Sequence, residues 1–136
     1  MEDDIRFALE HTRTWAVVGC SPDPGRDSHR IATLLRRRGF RVIPVNPAAS
    51  EILGERCFPS VRDIPEPVDV VDVFRRSSEA GAHVDEAIEI GARVVWLQLG
   101  VIDAAAAERA RAAGLRVVMD RCPAIELPKI SGATKT

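Results

Sequence analysis

Hydrophobic residues fall along this chain in short, almost uninterrupted runs, separated by stretches where polar and apolar positions take up a helical period. The runs are Trp15–Gly19, Arg41–Val45, Val68–Val73, Val94–Leu97 and Leu115–Met119. They are rich in valine and barely alternate, as strands covered on both faces do. Between them, Ile31, Leu34 and Leu35 share one helical face ahead of Gly39. Val84, Ala87 and Ile88 do the same ahead of Gly91, and Ala104–Ala113 is a strong helix former ahead of Gly114. This repeated β–α alternation predicts an α/β fold in three layers, a doubly wound parallel sheet of about five strands. A short amphipathic helix over residues 4–9, within an N-terminal helical segment 1–12, precedes it. The connection from Asn46 to Pro67 holds three prolines after Asn46-Pro47 and only a weak helical stretch near Ser60–Ile64, so an irregular crossover is expected. Residues 129–136 are polar and small, and a flexible tail is expected there.

Composition narrows the function classes. At 136 residues the chain has the size of one domain, with no linker, repeat or low-complexity stretch. Charge is nearly balanced, 19 basic against 20 acidic side chains, so no overall field invites nucleic acid or an anionic membrane. No apolar run approaches the length of a membrane span. The start, Met1-Glu2-Asp3-Asp4, is acidic where a signal peptide would be basic and then apolar. The 3 cysteines are scattered and lack metal-ligand spacing, which points to reduced thiols in a cytoplasm.

In an open α/β sheet, ligands sit beyond the carboxyl ends of the strands, where the strand order reverses. The first such end is Gly19-Cys20-Ser21, running through Pro22, Pro24 and Gly25 to Arg26 and Ser28. This glycine- and serine-bearing turn leads straight into a helix, the setting in which backbone N–H groups meet phosphate. It is not the dinucleotide fingerprint, because Ser21 and Pro24 stand where G-x-G-x-x-G needs glycine. The end of the second strand carries Asn46 and Pro47 rather than the acid that holds the ribose of NAD. The third strand ends in Val73, Phe74 and Arg75, the fourth in Gln98 and Gly100, and the fifth in Asp120, Arg121 and Cys122. The rim is arginine- and hydroxyl-bearing, poor in negative charge and suited to phosphate.

Plainer readings exist for each residue. Gly19 can serve the turn alone, Ser28 can cap a helix, and Asn46-Pro47 is a common turn pair. Asp69 and Asp72 alternate on the third strand, where helices on both faces would bury at least one. Both are expected to be hydrogen-bonded structural groups. A phospho-receiver is excluded, since it needs paired acids after the first strand and a lysine after the fifth. No Ser-His-Asp arrangement is evident, and His11, His29 and His83 fall outside the strand ends.

Taken together, the motifs resemble a known family. They are Val17-Val18-Gly19-Cys20-Ser21 with Arg26 and Ser28, Val42-Ile43-Pro44-Val45-Asn46-Pro47, and Ile52-Leu53-Gly54. Further on come Val70-Val71-Asp72-Val73-Phe74-Arg75, Val95-Trp96-Leu97-Gln98-Leu99-Gly100 and Val118-Met119-Asp120-Arg121-Cys122-Pro123. In this order, over residues 5–128, the chain resembles the small bacterial and archaeal CoA-binding proteins, relatives of the CoA-binding domain of the succinyl-CoA synthetase α subunit. The resemblance implies a Rossmann-like fold whose ligand is coenzyme A or an acyl-CoA, with no metal. It also implies that Gly19, Cys20, Ser21, Arg26 and Ser28 face the pyrophosphate. Asn46 and Pro47 would lie near the adenosine and its 3′-phosphate, Val73, Phe74 and Arg75 would flank the nucleotide, and Gln98 would line the path of the pantetheine arm. The synthetase continues into a phosphohistidine domain beyond the point matching Cys122-Pro123, so ligase chemistry by this chain alone is not expected. A carrier, sensor or regulator is, with a homodimer or another protein partner left open.

Two alternatives stay open. The same cleft could serve a small NADP-dependent enzyme, given the arginines and the missing strand-two acid. Cys20 and Cys122 both follow strands at the ligand edge, where either could join CoA's sulfur in a mixed disulfide, although buried packing is the plainer role for both.

Overall fold

The structure is a computed structural model that describes residues 1–130. The chain runs α1 (Glu2–Glu10), β1 (Thr14–Val18), α2 (Asp27–Arg37), β2 (Arg41–Val45), β3 (Glu51–Ile52), β4 (Glu55–Arg56), β5 (Val70–Val73), α3 (Ser77–Glu89), β6 (Val94–Gln98), α4 (Ala104–Ala112), β7 (Arg116–Arg121) and α5 (Pro123–Glu126). Five of the strands form one all-parallel sheet in the order β2-β1-β5-β6-β7. The chain steps outward from β1 to β2, then crosses back over β1 to β5 and continues to β7. The order therefore reverses between β1 and β5.

Period-two alternation sends each strand's side chains into two cores. Trp15 and Val17 of β1 join Val70, Trp96 and Val118 on one face, under Ile5, Leu9, Ile31 and Leu35 of α1 and α2. Ala16 and Val18 join Val71, Val73, Val95 and Leu97 on the other, under Ala80, Val84, Ala106 and Ala110 of α3 and α4. The first layer holds both tryptophans and Phe40. Trp15 packs against Trp96 with ring centroids 5.5 Å apart and edge-on to Phe40 at 5.5 Å. Its indole N–H donates to Thr12 Oγ1 at 2.9 Å, and that hydroxyl donates to the Ala8 carbonyl at 2.6 Å. The second layer is built mainly of valine and alanine.

The crossover between β2 and β5 is more ordered than the prolines imply. It holds the antiparallel hairpin β3–β4, which turns at Leu53 (φ 58°) and Gly54 (φ 72°). A 3-10 turn at Val61–Asp63 occupies the weak helical stretch. Arg41 ties this excursion to the sheet, donating to Glu55 at 2.8 Å and to Glu66 at 3.0 and 3.1 Å. Of the expected flexible tail, residues 131–136 lie outside the described residues. Lys129 ends a second 3-10 turn, Leu127–Lys129, and Ile130 is buried against the aromatic layer. No helix among the described residues is long and apolar enough to cross a membrane.

The two strand aspartates separate. Asp69 accepts from the backbone N–H groups of Arg13 (2.9 Å) and Thr14 (3.0 Å), as a structural carboxylate should. Asp72 corrects the expectation: it is wholly buried, and neither carboxylate oxygen has a hydrogen-bond partner among the described residues. Burial raises its carboxyl well above the usual range. A group that is neutral when folded and ionised when unfolded takes up a proton on folding. Its contribution is fully present below the ordinary carboxyl range and is lost as pH rises toward the folded value, at no more than about 1.4 kcal/mol per pH unit. Asp72→Asn should therefore raise the thermal midpoint at neutral pH, and the gap to the unsubstituted protein should close toward about pH 4. Thermal scans of both proteins across that range decide it; a gap independent of pH would show that Asp72 does not titrate in this way.

Candidate functional site

At the reversal between β1 and β5 the main chain passes close to itself. Gly19 leaves β1 at φ 81°, and a β-carbon on it would lie 2.5 Å from the Phe74 carbonyl oxygen. Its N–H donates to the Val45 carbonyl at 2.9 Å, while the Phe74 N–H donates to Val18 at 2.9 Å. The ends of β2, β1 and β5 are thus laced level, and a cavity of ≈ 650 Å³ opens beside them. One wall comes from Gly19 and Ser21 and from Arg26 and Ser28 at the start of α2. The second comes from Phe74, Arg75 and Arg76 between β5 and α3. Gln98 to Val101 form the third, and Cys122 and Ala124 close it.

Side chains stiffen the first wall by bonding to the loop itself. Ser28 Oγ accepts from the Ser21 N–H at 2.9 Å, Ser21 Oγ accepts from Asp23 at 3.1 Å, and Asp23 Oδ1 accepts from Gly25 at 2.8 Å. Ser28 thus holds the turn rather than capping α2. Neither α2 nor α3 receives a side-chain cap from its preceding residue, Arg26 or Arg76, in contrast to α4, where Asp103 accepts from the Ala106 N–H at 3.0 Å. Two helix N-termini with free N–H groups therefore border one cavity, and both favour an anion.

The charged side chains agree. Arg30 is held by Asp27 and the Gly25 carbonyl, and Arg75 and Arg76 share Glu79 at 3.3 Å each. Arg26 has no ion pair among the described residues. Two polar atoms in the walls are buried without a hydrogen-bond partner: Arg75 Nε, a donor, and Gln98 Oε1, an acceptor. Gln98 as a whole is only 7 % exposed. Such groups are costly to bury unless something meets them. The described residues hold no group of three His, Cys, Asp or Glu side chains placed to bind a metal.

Of the residues expected from sequence, the cavity gathers Gly19, Ser21, Arg26, Ser28, Phe74, Arg75 and Gln98. Cys20 and Val73 are fully buried in the two cores and do not line it. Asn46 is committed to the backbone: its amide donates to the Cys20 carbonyl at 2.9 Å and its oxygen accepts from the Ala48 N–H at 2.8 Å. It clamps the end of β2 to the first turn, and the exposed Pro47 lies outside the cavity lining. Sequence reasoning passes over Arg76, Leu99 and Ala124, which reach the cavity only because two helix starts and the β6 end converge there. Their positions within three residues of a strand end (Val73, Gln98 and Arg121) are the signal that could have found them.

Comparison with known proteins fits this geometry. A protein family described as a CoA binding domain matches the chain over residues 13–128. The uncharacterized protein YneT of Bacillus subtilis is 36% identical over 119 residues, 88% of each chain. The solved structure of a hypothetical protein from Pyrococcus horikoshii has a TM-score of 0.91 at 39% identity, covering 97% of this chain and 93% of that one. An ADP-forming acetate–CoA ligase of Archaeoglobus fulgidus is 39% identical over 64 residues, which is 46% of this chain and 10% of the ligase.

The close approach at Gly19 yields a direct test. Gly19→Ala should cost roughly 1–3 kcal/mol for the left-handed backbone and more for the clash with Phe74. Gly114→Ala, at φ 92° with nothing within 4 Å of the added carbon, should cost only the backbone part. Urea unfolding of the two variants measures the difference, and equal losses would mean the Phe74 contact is dispensable.

Proposed function

The chain belongs to the family of CoA-binding domains, and from that premise we propose that it binds coenzyme A or an acyl-CoA in the cavity beside Gly19, as a carrier, sensor or regulator. The observation that carries this reading is the pair of buried, unpartnered atoms, Arg75 Nε and Gln98 Oε1. One is a cationic donor and the other a neutral acceptor, in the same cavity. Coenzyme A offers a complement to each: a diphosphate that accepts and a pantetheine arm whose amides donate.

In this reading the diphosphate lies against the Gly19–Ser21 turn and the free N–H groups at the start of α2, with Arg26 and Arg75 supplying charge. Phe74 gives the nucleotide an apolar contact, and the pantetheine arm runs toward Gln98. Cys20 and Val73 act by shaping the turn and strand end rather than by side-chain contact. Asn46 acts by holding the Cys20 carbonyl, with Asn46-Pro47 on the adenosine side. The similarity to acetate–CoA ligase covers a tenth of that enzyme, and ligation forms no part of the proposal.

A ligand selective for the native state raises its stability by about 2.7 kcal/mol at a hundred times its Kd. Coenzyme A should accordingly lift the thermal midpoint by several degrees, with NAD and NADP giving much smaller shifts. Arg75→Ala should weaken coenzyme A binding roughly tenfold or more, by removing charge-assisted hydrogen bonds. Titration calorimetry measures it. No response to coenzyme A or acyl-CoAs would overturn the reading, and a preference for NADPH with carbonyl turnover would replace it with a small reductase.

A further inference from the structure

The fold treats the three cysteines differently. Cys20 is wholly buried, and its thiol is pushed up to about 12, first by burial and then by the neighbouring Cys57 and Asp72. Cys57 is nearly as buried, and its thiol donates to the Asn46 carbonyl at 3.5 Å. Neither presents a reactive sulfur. Cys122 is partly exposed and lines the same cavity as Gln98.

A bulge in β7 brings Arg121, the residue before Cys122, into register with Gln98. Leu97 of β6 partners Met119, but Gln98 partners Arg121, so Asp120 is the extra residue. It adopts φ 60°, which a non-glycine residue seldom does. Its carboxylate accepts from the Gly100 N–H at 2.7 Å, and the Trp96 indole N–H donates to the Arg121 carbonyl at 2.9 Å. The position after Arg121, at the neighbouring strand's end, is Cys122.

Gln98 is the independent sign of a ligand at this end of the cavity. It is 7 % exposed, and its Oε1 has no partner among the described residues. The outer amide of a pantetheine arm is separated from the sulfur by a single ethylene unit. An N–H of that amide donating to Gln98 Oε1 would hold the sulfur one ethylene unit away, within the cavity whose lining includes Cys122.

We propose that Cys122 captures the sulfur of bound CoA as a reversible mixed disulfide, by exchange with a disulfide of CoA. The inference rests on the CoA reading above. The Cys122 thiolate attacks the CoA-side sulfur. The Cys122–CoA S–S bond forms as the old S–S bond breaks, and the other half leaves as a thiolate that takes up the proton lost from Cys122. One disulfide replaces another, so the CoA disulfide is the only oxidant required, and a free thiol reverses the step.

The test mixes fully reduced protein with symmetrical CoA disulfide or, separately, with glutathione disulfide at equal concentration. Adducts are followed by intact mass and peptide mapping, and the thermal midpoint is measured with reduced CoA alongside. A single adduct is expected at Cys122, forming on the order of tenfold or more faster from CoA disulfide, because binding raises the local concentration of the reacting sulfur. Excess acetyl-CoA should slow it by filling the cavity without a free thiol. Cys122→Ser should abolish the adduct and Cys57→Ser should leave it. If CoA raises the midpoint yet the adduct is absent, maps to Cys57 or forms equally fast from both disulfides, the capture proposal is wrong and the CoA reading stands. If CoA does not raise the midpoint, both fall together.

Discussion

The carboxyl edge of the sheet depends on one passage of main chain past main chain, Gly19 against the Phe74 carbonyl. The space is too small for a β-carbon, and that closeness lets β2, β1 and β5 end at one level. Because the strands end level, α2 and α3 begin on opposite sides of the same opening. Spreading β1 from β5 would part the helix starts and loosen the walls that Arg75 and Ser21 provide. The Asn46 amide reinforces the arrangement from the far side by holding the carbonyl of the next residue, Cys20. The site is therefore a property of backbone geometry first and of side chains second.

The polar chemistry follows from what the helices do without. A helix start exposes N–H groups that need an acceptor, and α4 supplies its own through Asp103. The two helices at the cavity do not, and Ser28, which could have capped α2, is spent with Ser21 on tightening the preceding loop. Arginines then add positive charge where the helix dipoles already supply it. These choices conflict with maximal stability and agree with one another.

The frame is legible in the sequence because both of its periods are plain. Valine runs covered on two faces and glycine-ended amphipathic segments leave few arrangements besides a doubly wound sheet. The site is legible where it coincides with strand ends, hence Gly19, Ser21, Phe74, Arg75 and Gln98. What escapes depends on contacts distant in sequence. Nothing local distinguishes the Asp72 carboxyl, left without a partner, from Asp69, which finds two. Asn46 next to a proline reads as a turn, and only the fold reveals that its amide spans to Cys20. The hairpin at Glu51–Arg56 is too short to show a period, and the bulge at Asp120 is one residue in an otherwise ordinary strand.

The aromatic layer carries a consequence of an optical kind. The chain has 2 tryptophans and no tyrosine, and both indoles lie in the same core with ring centroids 5.5 Å apart. Intrinsic fluorescence thus arises from a single excitonically close pair beneath α1 and α2, and the valine–alanine layer under α3 and α4 is spectroscopically silent. One member of the pair, Trp96, is bonded to the Arg121 carbonyl, one residue before Cys122 in the cavity wall. Emission from this protein reports on one half of its interior and, through that bond, on the strand end next to Cys122.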